Sequence, residues 1–126
     1  MPTPLYITTI PTEYIHCNHI TIPTGEGDAY NFIAVDNASE YAFKPFITQE
    51  LSFKTMLEHL KQVLREIVPN PNFHHTTFIL GYGLEHIEAL QNNLAGSVKV
   101  VFDIDEANRL TIPIITHMMQ NMLKRK

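Results

Sequence analysis

The chain has 126 residues, 44% of them hydrophobic, which suits one compact domain over residues 1–126 and is too short for two. Nine Lys and Arg against 13 Asp and Glu give a formal charge of −4, which disfavours a domain that grips a phosphate backbone through a basic stripe. With no apolar run of membrane-spanning length, no signal peptide and a lone Cys17, a soluble cytoplasmic protein without membrane contact is expected.

Three strands are predicted in the amino-terminal part of the chain. Residues 14–22 alternate in polarity and residues 30–36 form a dense apolar run, and the turn at 24–28 joins them into a hairpin. Residues 40–47 predict a third strand. Pro45 places that strand on an edge of the sheet, where a missing amide hydrogen is tolerated. Together these segments predict an antiparallel three-stranded unit.

Helices and strands alternate in the rest of the chain. Apolar residues at helical spacing follow Ser52, which can cap a helix that ends at Pro69-Asn70-Pro71. Residues 76–80 and 98–102 predict two short strands, and residues 84–94 predict a helix between them.

A final helix is predicted after a charged loop at residues 103–109. Thr111 can cap this helix, and Pro113 suits its first turn. Its apolar face comprises Ile114, Ile115, Met118, Met119, Met122 and Leu123. We expect this face to cover the sheet, and its methionines could also form an adaptable contact surface.

Two segments near the amino terminus resemble a known family. The run His16-Cys17-Asn18-His19-Ile20-Thr21 resembles the His-x-Asp segment of transposases and retroviral-type integrases, and Val35-Asp36-Asn37-Ala38-Ser39-Glu40-Tyr41 resembles their Val-Asp-x-Ala-Ser-x-Tyr segment. The predicted order of elements, β-β-β-α-β-α-β-α, agrees with the ribonuclease H-like fold of that family. The resemblance, over about residues 14–123, implies an α/β domain with a mixed five-stranded sheet and helices packed on it.

The resemblance also implies the loss of a metal site. Members of the family hold two Mg²⁺ or Mn²⁺ ions with three acidic residues. The first position falls at Asn18, or at His19 if the alignment shifts by one, and the second falls at Gly81. The third lies on the last helix, where residues 107–126 contain no Asp or Glu and His117 is the nearest substitute together with Thr116. We therefore expect no catalytic residue and no cofactor at these degenerate positions.

A rebuilt site is the alternative for this pocket. His16 and His19 should point to opposite faces of their strand, so they cannot bind one ion together. A site for Zn²⁺ or a small anion could combine His16 or Asn18 with His117, although polar residues that merely fill an inactive pocket are the simpler interpretation.

These observations favour a catalytically inactive integrase-like domain that acts through protein contacts. The resemblance implies a homodimer, and an active recombinase is the other expected partner. The alternative is an active or weakly active DNA integrase or transposase with a rearranged site. The acid-free final helix and the negative charge disfavour that alternative, while nucleic-acid binding is left open.

Overall fold

The computed structural model describes residues 6–67, 75–94 and 96–124, with side chains as far as Gln120. One mixed sheet contains five strands: β1 Tyr14–Thr24, β2 Gly27–Asp36, β3 Phe46–Thr48, β4 Thr76–Leu80 and β5 Val98–Phe102. Their order across the sheet is β3-β2-β1-β4-β5. The first three strands are antiparallel, whereas β4 and β5 run parallel to β1.

Three helices connect and follow the strands: α1 Phe53–Ile67, α2 Ile87–Asn92 and α3 Ile104–Lys124. A 3₁₀ turn, Leu84–His86, precedes α2, so the predicted helix at 84–94 divides into two shorter pieces. The α/β architecture with a five-stranded mixed sheet and the ribonuclease H-like order of elements are confirmed. No helix in the described part of the chain is long and apolar enough to cross a membrane.

Alternation along β1 sends its side chains to two different layers. Ile15 and Cys17 belong to the main hydrophobic core, which also contains Leu60 of α1. Ile20 packs instead with Ile115 of α3 in a second, smaller cluster. The sheet therefore lies between α1 on one face and α3 on the other.

The start of α1 agrees with the prediction. The Thr55 amide donates to Ser52 Oγ at 3.3 Å, and the Ser52 amide donates to Thr55 Oγ1 at 3.0 Å. This reciprocal pair satisfies two donors at the helix start, as in a capping box. The predicted stop at Pro69-Asn70-Pro71 lies outside the described residues.

The third strand is shorter than predicted. Residues 40–47 were expected to form it, but β3 covers only Phe46–Thr48, and a single isolated bridge joins Ala42 to Val35. The Asp36 carboxylate accepts hydrogen bonds from the Ser39 amide at 3.1 Å and hydroxyl at 2.6 Å, which turns the chain back towards β2. The Asp36 amide then donates to the Tyr41 carbonyl, but the register changes by one residue between the Ala42 bridge and β3, so the two stretches do not form one strand. The edge position that Pro45 predicted for β3 is confirmed.

The last helix begins earlier than predicted. Residues 103–109 were expected to form a loop, yet α3 starts at Ile104 because Asp103 Oδ1 accepts the Glu106 amide at 3.1 Å and caps the first turn. Thr111 is consequently inside the helix, where its hydroxyl donates to the Ala107 carbonyl at 2.7 Å. Pro113 also lies inside the helix, on its exposed side, where water can satisfy the carbonyl that the missing N–H leaves free.

Candidate functional site

Three elements meet beside the middle of β1. Asn18 lies on the β1 face that α3 covers, and Gly81 directly follows β4. The Gly81 amide donates to the Cys17 carbonyl at 3.0 Å, which places Gly81 next to Asn18. Asn18 Nδ2 donates to Asn108 Oδ1 at 2.6 Å and to Thr111 Oγ1 at 3.3 Å, both on α3. We call Asn18, Asn108 and Thr111 the amide cluster.

The hydrogen-bonding groups of Asn18 are all engaged within the protein. Its Nδ2 bonds to α3 as described, and its Oδ1 accepts the His19 amide at 2.9 Å. Every contact of the amide cluster joins neutral groups. Because a hard divalent cation requires negatively charged oxygen ligands, this arrangement does not fit a pair of Mg²⁺ or Mn²⁺ ions.

Gly81 has little room for a side chain. A Cβ atom built there would lie 3.1 Å from Ala107 Cβ and 3.3 Å from Asn18 Nδ2. These separations are shorter than ordinary van der Waals contact. A side chain at this position would therefore require a small shift of α3 or of the end of β4.

His117 does not lie beside the amide cluster. It is exposed on α3, and it follows Thr111 by about 9 Å along the helix axis. Asn108, which belongs to the segment predicted as a loop, takes the place beside Asn18. The helical spacing of Ala107, Thr111 and Ile115, with Asp103 as a cap, was the sequence signal that could have identified Asn108.

The expectation that the last helix is free of acids is wrong. Because α3 begins at Ile104, Asp105 and Glu106 lie in its first turn. Glu106, however, accepts the Tyr6 amide at 3.0 Å and the Arg109 Nε–H at 3.1 Å. Burial opposes its ionisation, but these hydrogen bonds outweigh burial and hold the pKa of Glu106 below its ordinary value. Its carboxylate thus binds the backbone of Tyr6 in the amino-terminal segment and the side chain of Arg109.

Both ring nitrogens of His16 contact polar groups within the protein. Its ring is completely buried, with Nδ1 at 2.8 Å from the Glu106 carbonyl and Nε2 at 3.0 Å from Asn37 Nδ2. A neutral ring that donates from Nδ1 and accepts at Nε2 satisfies both contacts. Burial lowers the pKa of His16, which favours this neutral form. Both nitrogens are occupied, so the arrangement offers neither to a metal ion.

His19 points to the opposite face of β1, as the alternation predicts. Its ring lies against Tyr82 and Phe32, with centroids 5.0 and 5.5 Å away. Burial lowers the pKa of His19. Within residues 6–67, 75–94 and 96–124, no three His, Cys, Asp or Glu side chains are grouped so that they could hold a metal ion.

Comparison with known proteins reveals a likeness of fold. No protein-family model and no curated protein matches the chain. Among solved structures, the chain is similar to a chain of the cryo-EM structure of the simian T-cell lymphotropic virus intasome in complex with PP2A regulatory subunit B56 gamma, with a TM-score of 0.58 and 13% sequence identity. The match covers 93% of this chain and 43% of that chain. What the two chains share is the fold.

Proposed function

We propose that this chain is an integrase-like domain that has lost two-metal catalysis and acts through protein contacts. The amide cluster is the observation that carries the proposal. Asn18 and Gly81 stand at positions where the family resemblance implies acids, and α3 packs Asn108 and Ala107 against them. The likeness of fold to a chain of an intasome structure supports the integrase-like part.

The magnitude of the missing charge supports the loss of catalysis. Two metal ions act by clamping the attacking and leaving oxygens of an in-line displacement. Disturbing a single outer-shell partner of a metal ligand typically costs about 10- to 100-fold in affinity or activity. Replacing all the charged ligands by amides, a hydroxyl and a glycine is therefore expected to abolish metal binding at this place.

The loss of metal binding is tested by introducing carboxylates into the amide cluster. The double variant Asn18→Asp/Asn108→Asp brings two carboxylates together at a contact that measures 2.6 Å between the native side chains. Without a cation these carboxylates repel each other, so we expect Mn²⁺ to raise the melting temperature of the variant. The single variant Asn18→Asp, with one added charge, serves if the double variant does not fold.

The wild type and a charge-matched control should not respond to Mn²⁺. Thr21→Asp/Asn92→Asp adds the same charge at two exposed positions outside the cluster. An Mn²⁺ response in the cluster variants alone supports the proposal. Mn²⁺-dependent cleavage or strand transfer of DNA by the wild type, abolished by Asn18→Ala, would instead establish the alternative of an active enzyme with a rearranged site.

The proposed partner is a second copy of the chain, and the two copies contact each other through the outer face of α3. Between Leu110 and Gln120, the last residue whose side chain the structure describes, the exposed residues of α3 carry no carboxylate, ammonium or guanidinium group: Ile112, Pro113, Thr116, His117, Met119 and Gln120. The exposed face of α1, in contrast, carries Lys54, Glu58, Lys61, Arg65 and Glu66. Two copies with a formal charge of −4 each repel least where neither presents a carboxylate. An active recombinase is the alternative occupant of this face.

A further inference from the structure

His59 is a buried polar residue that the proposed function does not use. It lies on α1 and is fully buried. The centroid of its ring lies 5.4 Å from the ring centroid of Phe32 and 6.0 Å from that of Phe46. Neither of its ring nitrogens has a hydrogen-bond partner among the described residues. Buried polar groups are bonded in the large majority of cases, so an imidazole with two unpaired nitrogens needs an explanation.

Two further polar atoms in the same core are unpaired. Within the described ranges, the Tyr82 hydroxyl and His19 Nδ1 are buried without a hydrogen-bond partner. Tyr82 and His19 contact each other, and both contact Phe32, which also contacts His59. The interface between α1 and the sheet therefore concentrates several unpaired polar atoms around one phenylalanine.

We propose that His59 is an acid-sensitive latch, which keeps α1 packed on the sheet while its imidazole is neutral and releases α1 when the imidazole is protonated. Desolvation is the physical basis. A cation enclosed by two phenylalanine rings loses its hydration and gains no partner charge in return. This inference is independent of the proposed function.

The groups around His59 cannot compensate a positive charge. The main core contributes Cys17 from β1 and Tyr82 from the segment after β4, and β1 also carries His19. None of these is a carboxylate. The facing rings from β2 and β3 are Phe32 and Phe46.

On α1 itself, the charged residues nearest to His59 in sequence are Glu58 and Lys61. Both are exposed on the outer side of the helix. A protonated His59 can therefore reach water and a counter-charge only if α1 moves away from the sheet.

The direction of the pH effect follows from proton linkage. Burial lowers the pKa of His59 to about 4, whereas a histidine exposed to water has a pKa of about 6.5. Above pH 6.5 the residue is neutral in both the closed and the open state. As the pH falls below about 6.5 the open state takes up the proton before the closed state does, so the ratio of open to closed molecules rises, towards a limit of about 300-fold below pH 4.

The experiment is a pH titration of the whole chain from 7.5 to 3.5. Near-ultraviolet circular dichroism reports side-chain packing, binding of a hydrophobic dye reports exposed apolar surface, and far-ultraviolet circular dichroism reports secondary structure. For the wild type we expect loss of the near-ultraviolet signal and gain of dye binding between about pH 6 and 4, with the far-ultraviolet signal retained.

Substitution of His59 isolates its contribution from those of His16 and His19. His59→Phe keeps a ring in the core and removes the titrating group, and it should move the transition to lower pH by about one unit or more. His59→Leu serves if the phenylalanine variant does not fold. The exposed His75→Ala is the control and should leave the transition unchanged.

Two outcomes would contradict the proposed release of α1 by protonation of His59. An unchanged transition in both His59 variants would mean that other groups control the response to acid. Loss of the far-ultraviolet signal in the same step would mean that the whole domain unfolds and that α1 is not selectively released.

Discussion

Asn18 joins three parts of the molecule through a single side chain. Its Nδ2 donates to Asn108 and Thr111 of α3, and its Oδ1 accepts the His19 amide. That amide belongs to the part of β1 that extends beyond its pairing with β4, which ends at Cys17. An aspartate could accept from His19 but could not donate to Asn108, so an amide suits this neutral position better than an acid.

Truncation of Asn18 should therefore be costly. In Asn18→Ala, the His19 amide and Asn108 Oδ1 lose their partners in a partly buried place. We expect the free energy of unfolding to fall by about 1–3 kcal/mol in a denaturant titration. The exposed Asn92→Ala is the matched control, with an expected change within about 0.5 kcal/mol. Equal effects of the two substitutions would argue against a linking role for Asn18.

Gly81 gives a second prediction at the scale of one residue. In Gly81→Ala, the new methyl group would meet Ala107 Cβ at 3.1 Å, so α3 or the end of β4 must shift. We expect a loss of about 1–3 kcal/mol in the free energy of unfolding. A Cβ at Gly25 has no heavy atom within 4 Å, so Gly25→Ala is the control and should change little. A Gly81→Ala protein as stable as this control would show that α3 is not packed tightly there.

The two edge strands of the sheet, β3 and β5, are protected against pairing with another chain. On one side, β3 is only three residues long and follows Pro45. On the other side, Gln91 of α2 bonds to β5 as a further strand would, because its Nε2 donates to the Val98 carbonyl at 2.6 Å and its Oε1 accepts the Val100 amide at 2.9 Å. Short edges and covered backbone groups prevent association edge to edge. This favours a helix face as the contact surface.

Removal of the Gln91 side chain should expose the edge of β5. In Gln91→Ala, the Val98 carbonyl and the Val100 amide lose their partner, and we expect a loss of about 1–2 kcal/mol in the free energy of unfolding. Light scattering on storage should increase at the same time, because an unpaired edge recruits other chains. Gln120→Ala, at an exposed position on α3, should change neither quantity. Unchanged light scattering in Gln91→Ala would mean that groups other than Gln91 protect the edge of β5.

At the scale of the whole molecule, charge and apolar exposure are distributed unevenly. Ile112 and Met119 of α3 are 47% and 54% exposed, and residues 112–120, the last whose side chains the structure describes, include no Asp, Glu, Lys or Arg. The remaining surface bears the acids that make the chain negative. This distribution supports contacts between proteins through α3 more than a phosphate-binding role, which needs clustered Lys and Arg.

Sedimentation of the intact chain tests the proposed dimer. We expect self-association of the wild type, and Ile112→Glu should weaken it by about tenfold or more, because the change places a carboxylate in each half of a symmetric contact. Thr21→Glu adds the same charge at an exposed position of β1 and should leave association unchanged. A wild type that stays monomeric at high concentration, or an equal effect of both variants, would contradict association through α3.

Two positions of the candidate site could be named from the sequence, but the residue that packs beside Asn18 could not. The family resemblance implies acids at the positions of Asn18 and Gly81, and the sequence shows directly that neither residue is an acid. The position of Asn108 beside Asn18 does not, because the charged residues around it are compatible with a loop. Only the capping contact of Asp103, together with burial of Ala107, extends α3 far enough to bring Asn108 to β1.

The sequence by itself determined the order of the elements, the start of α1, the pairing of β1 with β2, and the opposite directions of His16 and His19. All of these depend on local periodicity and capping, which operate over a few residues. The tertiary structure alone decided the short extent of β3, the early start of α3, and the enclosure of His16 and His59. The enclosure of both histidines and the contact of Asn108 with Asn18 join residues far apart in the chain, and the extent of β3 is set by its pairing with β2. Local spacing does not specify any of these contacts.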